Sequence, residues 1–466
     1  MRLASPQKGG FSRTRDRDMD VFGAGHLAVK RVTTGTFFAG LRQKTAIGGS
    51  GMITRRAAAQ LIAAVAATSA LGSAGGANAA DKVLKVGVNL SLTGADAHSA
   101  KLILDGAEMA FDQANKENAV PGYTFDVIAY DDATATAGQY DPVQAATNAR
   151  KMVSDPQVIA AIGPQMSGSG KAMAPILSQG DLAIITPSST NPDITDPKFA
   201  AQYRPGGKPI YFRTVTTDAF QGPNMANYMA KDLHVKTVYI LDDSGAYGVG
   251  MADAYQRQAE KDGMKVLGRD RLDPKAADYT SVLTKIKQLN PDAIYYGGVL
   301  QAGVKLAKQS YDIVPKIIKA GGDGMMGPEM LTGAGFPAAE GWYATNASPH
   351  MTDDTGESKA GKFIKEFKAK YGESPDDYTI TGYDAGLVII DSVKRLVAEK
   401  KPVNHDTVRD AIQTASVPTI QGTVSFDANG DVKDRTVSVF QIKKDTSKPL
   451  DDISAQYHYI GVAPQA

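Results

Sequence analysis

Short apolar runs rich in β-branched residues alternate with longer amphipathic segments between residues 82 and 343. The short runs predict strands, and they are continuously apolar, as strands are when helices cover both faces of a parallel sheet. The predicted strands are residues 84–90, 125–130, 158–162, 182–185, 210–215, 237–241, 265–272, 293–296 and 316–320. In the segments between them apolar positions recur every three or four residues, which predicts helices over 101–119, 142–153, 170–179, 221–233, 250–262, 279–288 and 301–309. This alternation predicts an α/β fold with parallel sheets and right-handed crossovers.

The strand–helix pattern runs twice. The first block ends near Thr190, a polar stretch rich in Pro and Gly follows over 191–209, and the second block ends near residue 343. Beyond it the sequence predicts helices over 359–371 and 379–399 and a hairpin over 422–442, with Asn429-Gly430 as its turn. Since 466 residues are too many for one ordinary core, we expect two doubly wound lobes that face each other across a cleft, where small-molecule sites concentrate.

Two loops rich in hydroxyl groups follow predicted strands of the first block: "GPQMSGSG" at 163–170 and "TPSST" at 186–190. Open parallel sheets bind ligands at the carboxyl ends of their strands, so Ser167, Ser188 and Thr190 are candidate ligand-binding residues. Hydroxyls and backbone N–H groups at a strand-to-helix turn suit a carboxylate. Capping of the following helices is the alternative role for the same side chains. No nucleophile or general base lies near these loops, so no catalytic residue is predicted.

Charge and composition exclude several classes of function. The first 80 residues hold 11 of the 51 Lys and Arg but 3 of the 50 Asp and Glu, which leaves 40 basic and 47 acidic residues in the rest of the chain. This acidic excess argues against a nucleic-acid partner. The chain has no Cys, and its six His residues show no pair at ligand spacing, so we expect no metal and no cofactor. The acids Asp131-Asp132 and Asp242-Asp243 are interpreted as solvated loop charges.

The N-terminal region predicts export. Arg55-Arg56 precede a mostly apolar, uncharged segment over 57–71, and Ala77-Asn78-Ala79 fits a small-x-small cleavage site. Residues 52–79 therefore have the pattern of a cleaved secretory signal peptide, which places the mature protein in the periplasm. Because a signal peptide belongs at the start of a chain, we interpret residues 1–51 as a mis-assigned start site, with Met52 as the true start, or as a disordered extension.

From about residue 82 to residue 444 the chain carries an ordered series of motifs, among them "VGVNLSLTG", "AAIGPQMSGSG", "ITPSSTNPDIT", "DDSGAYGVGMADAY", "GGDG" and "GTVSFDANGDV". In this order they resemble the periplasmic branched-chain amino acid (Leu/Ile/Val-type) binding proteins of ABC transporters, which have the type I periplasmic-binding fold. The resemblance implies two doubly wound lobes joined by a hinge of three crossovers, near residues 215–218, 345–348 and 436. It implies a first lobe of residues 82–216 plus 347–435 and a second lobe of 217–346 plus 436–466.

In the family the first lobe holds the α-amino and α-carboxylate groups of an amino acid, and the matching positions are Ser167, Ser188 and Thr190. From the second lobe the resemblance brings Tyr247, which would cover the ligand, and Asp323, which would pair with its ammonium group. Gln165, Met166, His98, Ser99 and Val299 are expected to line the pocket.

The chain departs from the family at three places. Val299 stands where close relatives often have Tyr, and His98 and Ser99 occupy a region that often holds an aromatic side chain. Thr134 and Met166 stand at the positions of an occasional disulfide. The first two departures alter the side-chain pocket, so the ligand class stays open between aliphatic, polar and aromatic molecules.

The resemblance implies an extracytoplasmic solute-binding protein of an ABC importer that closes over an amino acid or a related small carboxylate without transforming it. Its partners would be that ligand and the permease subunits in the inner membrane, and we expect a monomer. Two alternatives stay open, because folds are reused for different functions. One is a ligand-sensing module, such as an amide sensor or a receptor domain, and the other is a doubly wound α/β enzyme.

Overall fold

The computed structural model describes residues 81–352 and 356–466. The predictions for residues 1–51 and for the signal peptide lie outside the described residues. The strands of the first lobe are β1 (Lys82–Leu90), β2 (Tyr123–Asp131), β3 (Val158–Ile162), β4 (Ile184–Thr186) and β5 (Tyr211–Arg213). They form a parallel sheet in the order β2-β1-β3-β4-β5. This is a doubly wound order, and it places the ends of β1, β3 and β4 side by side.

The second large sheet is built from β6 (Thr237–Asp242), β7 (Lys265–Arg271), β8 (Ala293–Gly297), β9 (Ile318–Gly321) and β10 (Tyr343–Asn346). Two C-terminal strands complete it, β13 (Ser438–Ile442) and β14 (Tyr457–Val462), in the order β14-β13-β10-β9-β8-β6-β7. Strands β6 to β10 are parallel to one another, whereas β13 pairs antiparallel with both β10 and β14. The predicted α/β fold is confirmed, with an antiparallel edge that the strand–helix alternation did not predict.

The helices cover both faces of each sheet. They are α1 (Ala97–Lys116), α2 (Pro142–Ser154), α3 (Ser167–Gln179), α4 (Asp218–Lys231), α5 (Ala246–Lys261), α6 (Thr280–Leu289), α7 (Leu300–Ile313), α8 (Lys359–Tyr371), α9 (Asp377–Ala398) and α10 (His405–Gln413). On β3, Ile159 and Ile162 pack against α1 and α9, while Val158 and Ala161 pack against α2 and α3. This double burial explains why the strand sequences are apolar throughout.

The chain passes between the two sheets three times, after β5, after β10 and before β13. The three passages lie side by side, since the Thr216 N–H donates to Ala347 O (2.8 Å) and the Ser438 hydroxyl donates to Ser348 O (2.7 Å). The predicted hinge of three crossovers is therefore present. All strands of the five-stranded sheet fall in the predicted first lobe, and all strands of the seven-stranded sheet fall in the predicted second lobe.

The predicted hairpin over 422–442 is wrong in its pairing. Strand β12 (Thr423–Ser425) pairs with β11 (Ser416–Pro418), and β13 pairs with β10 and β14 of the second sheet. Around the Asn429-Gly430 turn a single bridge joins Phe426 and Val432. The apolar residues of β13 are buried between β10 and β14 of the second sheet, whereas isolated hairpins are marginally stable.

Candidate ligand-binding site

A cavity lies between the two lobes, at the carboxyl ends of β1, β3 and β4 on one side and of β6, β8 and β9 on the other. The described residues that line it are Asp96, Ser99, Gln165, Met166, Ser167, Ser188, Tyr247, Val299, Leu300, Asp323, Gly324, Met326 and Tyr378. Eight of these were predicted from the sequence. The structure thus brings both hydroxyl loops of the first lobe against the predicted acid of the second.

The first-lobe wall is formed by the loop between β3 and α3. Gly163 adopts a φ of +105°, and a Cβ added there would stand 2.2 Å from the backbone oxygen of Asn89. Only Gly fits this position, because any side chain would clash with the neighbouring strand. The chain then turns so that α3 begins at Ser167, and Met166, which precedes the helix, offers it no side-chain cap. The N-terminus of α3 therefore faces the cavity with uncapped N–H groups, which favour an anion.

Thr186 joins the two hydroxyl loops. Its hydroxyl donates to Pro164 O (2.7 Å) and accepts hydrogen bonds from the N–H groups of Ser188 (3.3 Å) and Ser189 (2.8 Å). Ser167 Oγ accepts the Asn191 N–H at 3.2 Å, so its own proton stays available to a ligand. The hydrogen bonds of Thr186 therefore fix the distance between the two loops, as a preorganised binding surface requires.

Arg213 supports the second hydroxyl loop from within the core. The side chain is fully buried and donates to the backbone oxygens of Ser189 and Asn191 (2.8 Å to Asn191) and to Asp431 Oδ1 (2.7 Å). Its planar fork can satisfy all three acceptors at once. No local pattern indicates this role, because Arg213 lies within an apolar strand and its acidic partner is 218 residues away.

Asp323 is the centre of the second-lobe wall. Its Oδ1 accepts hydrogen bonds from the Tyr247 hydroxyl and the Gln221 amide, both at 2.7 Å, and its Oδ2 accepts one from the Tyr378 hydroxyl at 2.7 Å. Tyr378 stands at the start of α9 in the first lobe, so this bond joins the lobes. Asn191 makes another such contact, since its amide donates to Ala246 O of α5 (2.9 Å). The structure is therefore closed around the cavity.

Two buried carboxylates face each other beneath this wall. Gln221 donates through Nε2 to both Asp323 and Asp218 Oδ1 (3.2 Å). Burial raises the pKa of Asp323, while the hydrogen bonds from Tyr378, Tyr247 and Gln221 act in the opposite direction. Burial and then the negative charge of Asp323 raise the pKa of Asp218 to about 8. A cation near Asp323 would relieve this repulsion.

Asp243 fixes the loops that carry Tyr247 and Val299. Its Oδ1 accepts the Gly245 N–H and its Oδ2 accepts the Val299 N–H, both at 2.9 Å. The interpretation of the paired acids as solvated charges is wrong for Asp132, Asp242 and Asp243, which are buried. They accept hydrogen bonds at strand ends, where loop N–H groups and polar side chains converge.

Two predicted residues do not line the cavity. His98 lies next to it in a neighbouring groove, and its Nε2 is 2.9 Å from Glu373 Oε2. Residues 98 and 99 both lie in the first turn of α1, where successive side chains diverge by about 100°, so Ser99 alone faces the cavity. Thr190 is fully buried behind the wall, and its Oγ1 has no hydrogen-bond partner among the described residues.

Sequence reasoning missed five lining residues: Asp96, Leu300, Gly324, Met326 and Tyr378. Asp96 precedes the helix directly, but the apolar pattern predicts that helix only from residue 101, so the N-cap signal of this acid went unread. Tyr378 had none, because its place depends on the return of the chain to the first lobe after β10.

Comparison with known proteins matches residues 83–447 to the family model described as "Periplasmic binding protein". This chain belongs to that family. Its resemblance to the branched-chain amino acid binding proteins also extends to curated relatives. It is 27% identical to the Leu/Ile/Val-binding protein BraC3 of Rhizobium johnstonii over 77% of this chain and 91% of the relative. It is 29% identical to the leucine-, isoleucine-, valine-, threonine- and alanine-binding protein of Pseudomonas aeruginosa, over 82% and 96%.

Solved structures show the same architecture. The leucine-binding protein LivK of Thermotoga maritima superposes with a TM-score of 0.70 at 25% identity, covering 82% of this chain and 98% of that one. A solute-binding protein of R. palustris in complex with benzoate superposes with a TM-score of 0.66 at 21% identity, covering 82% and 97%. The predicted type I periplasmic-binding fold is confirmed. Members of this family are binding proteins.

In the described ranges, no helix combines the length and the apolar character needed to cross a membrane. Within the same ranges, no three acidic, His or Cys side chains converge in a way that could hold a metal ion.

Proposed function

We propose that this chain is the extracytoplasmic solute-binding component of an ABC importer and that it holds an α-amino acid, or a related small carboxylate, between its lobes. The observation that carries the proposal is the pairing of opposite chemistries across one cavity. Hydroxyls and uncapped helix N–H groups stand on the first-lobe wall, and the buried carboxylate of Asp323 stands on the second. A zwitterion complements both walls at once.

Ser167 and the N-terminus of α3 would bind the ligand carboxylate, and Ser188 would join them by turning its hydroxyl away from Gln165 O, to which it donates at 3.2 Å. Ser167 has a free proton to donate, and the helix N-terminus adds a partial positive charge. Thr190 supports this wall from behind. Asp323 would bind the ammonium group, oriented by Tyr247 through the 2.7 Å hydrogen bond between their side chains. Tyr247 thus acts through Asp323 as well as by covering the ligand.

Closure of the lobes is what the permease would recognise. A ligand that binds the first lobe alone would not favour the closed state, because only extra contacts with the second lobe shift that equilibrium. Asp323 supplies such a contact. The predicted signal peptide supports delivery to the periplasm, where the closed protein would meet permease subunits in the inner membrane, and we propose that it does so as a monomer.

The test is calorimetric titration of the mature chain with the twenty common L-amino acids and with benzoate, followed by the variant Asp323→Asn. Asn keeps the shape and removes the charge. Its single oxygen can accept the bonds from Tyr247 and Gln221, whereas its amide nitrogen cannot accept the Tyr378 hydroxyl. We expect at least one amino acid to bind and the variant to weaken it by hundreds- to thousands-fold, since stranding one partner of a buried ion pair costs about 3–5 kcal/mol and about 1.4 kcal/mol is a factor of ten. The exposed Asp126→Asn is the matched control. Absence of binding by every amino acid and by benzoate would overturn the proposal. Equal affinity of an amino acid for Asp323→Asn and for the parent protein would overturn the role of Asp323.

A further inference from the structure

Asp96 is a buried carboxylate in the ligand cavity that makes no contact explaining its presence. It is 4% exposed. Its Oδ2 is buried and has no hydrogen-bond partner among the described residues. An unpaired buried carboxylate is costly, and native structures keep such groups rarely and at sites that use them.

The ordinary structural role of this residue is excluded by its geometry. Asp96 immediately precedes α1, which begins at Ala97, and Asp is among the preferred residues at such an N-cap. Its side chain nevertheless makes no capping hydrogen bond to the helix. No Lys, Arg or His is recorded in an ion pair with it in the described part of the chain. The carboxylate faces the cavity instead.

A second unpaired acceptor lies in the same cavity. Gln165 is 8% exposed, and its Oε1 is also buried without a partner in the described residues. Asp96 and Gln165 both belong to the first lobe, whereas the ammonium-binding Asp323 belongs to the second. The cavity therefore offers acceptors to a donor group on the ligand that is distinct from its α-ammonium.

The charges around Asp96 indicate whether this second donor group of the ligand is positively charged, neutral or negatively charged. Its pKa is raised to about 7, first by burial and then by the negative charges of Glu329, Asp132 and Asp243. Of the described residues that line the cavity, only Asp96 and Asp323 have charged side chains, and both are acidic. A ligand anion at this place would be repelled, and an aliphatic group would cover a carboxylate without compensating it. A cation would be attracted by every one of these groups.

We propose that Asp96 binds a positively charged group, an ammonium or a guanidinium, on the side chain of the bound amino acid. This inference rests on the proposed function, since it assumes that Asp323 and the hydroxyl loops hold the α-groups. Gln165 would accept a second hydrogen bond from the same group. Val299 and Leu300 would contact the hydrocarbon stem, as a basic side chain buries its stem and directs its charge to a polar partner.

The test compares ligands that differ in the distal charge. Lysine is measured against norleucine, which lacks the terminal ammonium, and arginine against citrulline, which keeps N–H donors without the charge. Ornithine and 2,4-diaminobutyrate vary the stem length. We expect the best cationic ligand to bind at least tenfold more tightly than its neutral counterpart, and its binding to weaken above about pH 10, where the side-chain ammonium of lysine loses its proton.

The variant Asp96→Asn separates a binding role from a structural one. We expect it to weaken the best cationic ligand by tens- to hundreds-fold and to leave the affinity for norleucine unchanged or higher. Its thermal midpoint without ligand should equal or exceed that of the parent, because the carboxylate stabilises nothing in the protein. Asp323→Asn, in contrast, should weaken both ligands.

The outcomes distinguish the two proposals. If neither an amino acid nor benzoate binds, the proposed function fails, and if benzoate alone binds, the role of Asp96 is refuted while the proposed function stands. If amino acids bind, but norleucine or citrulline binds as tightly as its cationic counterpart, the role of Asp96 is refuted while the proposed function stands. A destabilised Asp96→Asn with unchanged ligand preference would refute that role as well.

Discussion

The hydrogen bond between Tyr378 and Asp323 gives a direct test of how the lobes close. Tyr378→Phe keeps the ring but removes the hydroxyl, which donates to Asp323 Oδ2 at 2.7 Å. In the described chain no other side chain donates to Oδ2. A hydrogen bond to a charged group contributes about 1.5–3 kcal/mol net. Because the donor belongs to the first lobe and the acceptor to the second, this free energy stabilises the closed state.

Ligand affinity should fall accordingly, by about 10- to 150-fold, since about 1.4 kcal/mol corresponds to a factor of ten. The assay is calorimetric titration with the tightest amino acid ligand, joined by small-angle scattering of the unliganded protein, in which the variant should be more open. Tyr383→Phe is the matched control on the same helix, because its hydroxyl donates to Gln113 Oε1 (2.6 Å) away from the cavity. If Tyr378→Phe and Tyr383→Phe bind the ligand equally, the bond across the lobes has no role in closure.

Two further predictions concern stability. Gly163→Ala should lower the free energy of unfolding, measured by urea denaturation, by at least ~2 kcal/mol more than Gly122→Ala. Both residues have positive φ, but only a Cβ at residue 163 would clash with backbone atoms. Equal losses of stability in the two variants would contradict this steric argument. Asp218 has a folded pKa raised from 3.8 to about 8, so the folded state binds the extra proton and stability should fall as the pH rises through this window. Asp218→Asn should flatten the decline between pH 5 and 8 by up to about 1.4 kcal/mol per pH unit, and a parallel decline in the variant would rule out this carboxylate as its source.

The strands were predictable because burial on both faces makes their sequences continuously apolar. β3 is covered on both faces, and its sequence is apolar at every position, so the run at 158–162 marked the strand with its observed bounds. The hydroxyl loops followed from the same logic, since the carboxyl ends of parallel strands converge at one edge of a sheet. The sequence therefore predicts that Ser167 and Ser188 lie close together.

The start of α1 shows where local signals failed. The pattern predicted a helix from 101, whereas it begins at Ala97. Its first turn carries His98 and Ser99, residues that look like a polar loop, and its amphipathic register became clear later in the segment. As a result Asp96 was not recognised and His98 was assigned to the pocket.

The sequence by itself determined the alternation of strands and helices, the two-lobed family fold and the positions of the hydroxyl loops and Asp323. Tertiary structure alone decided which side chains meet: Tyr378 with Asp323, Arg213 beneath the second loop, and β13 with β10 in place of a hairpin. The physical reason is distance along the chain. Periodicity and turn chemistry act over a few residues, while these contacts join segments between 24 and 218 residues apart and exist only once the chain has folded.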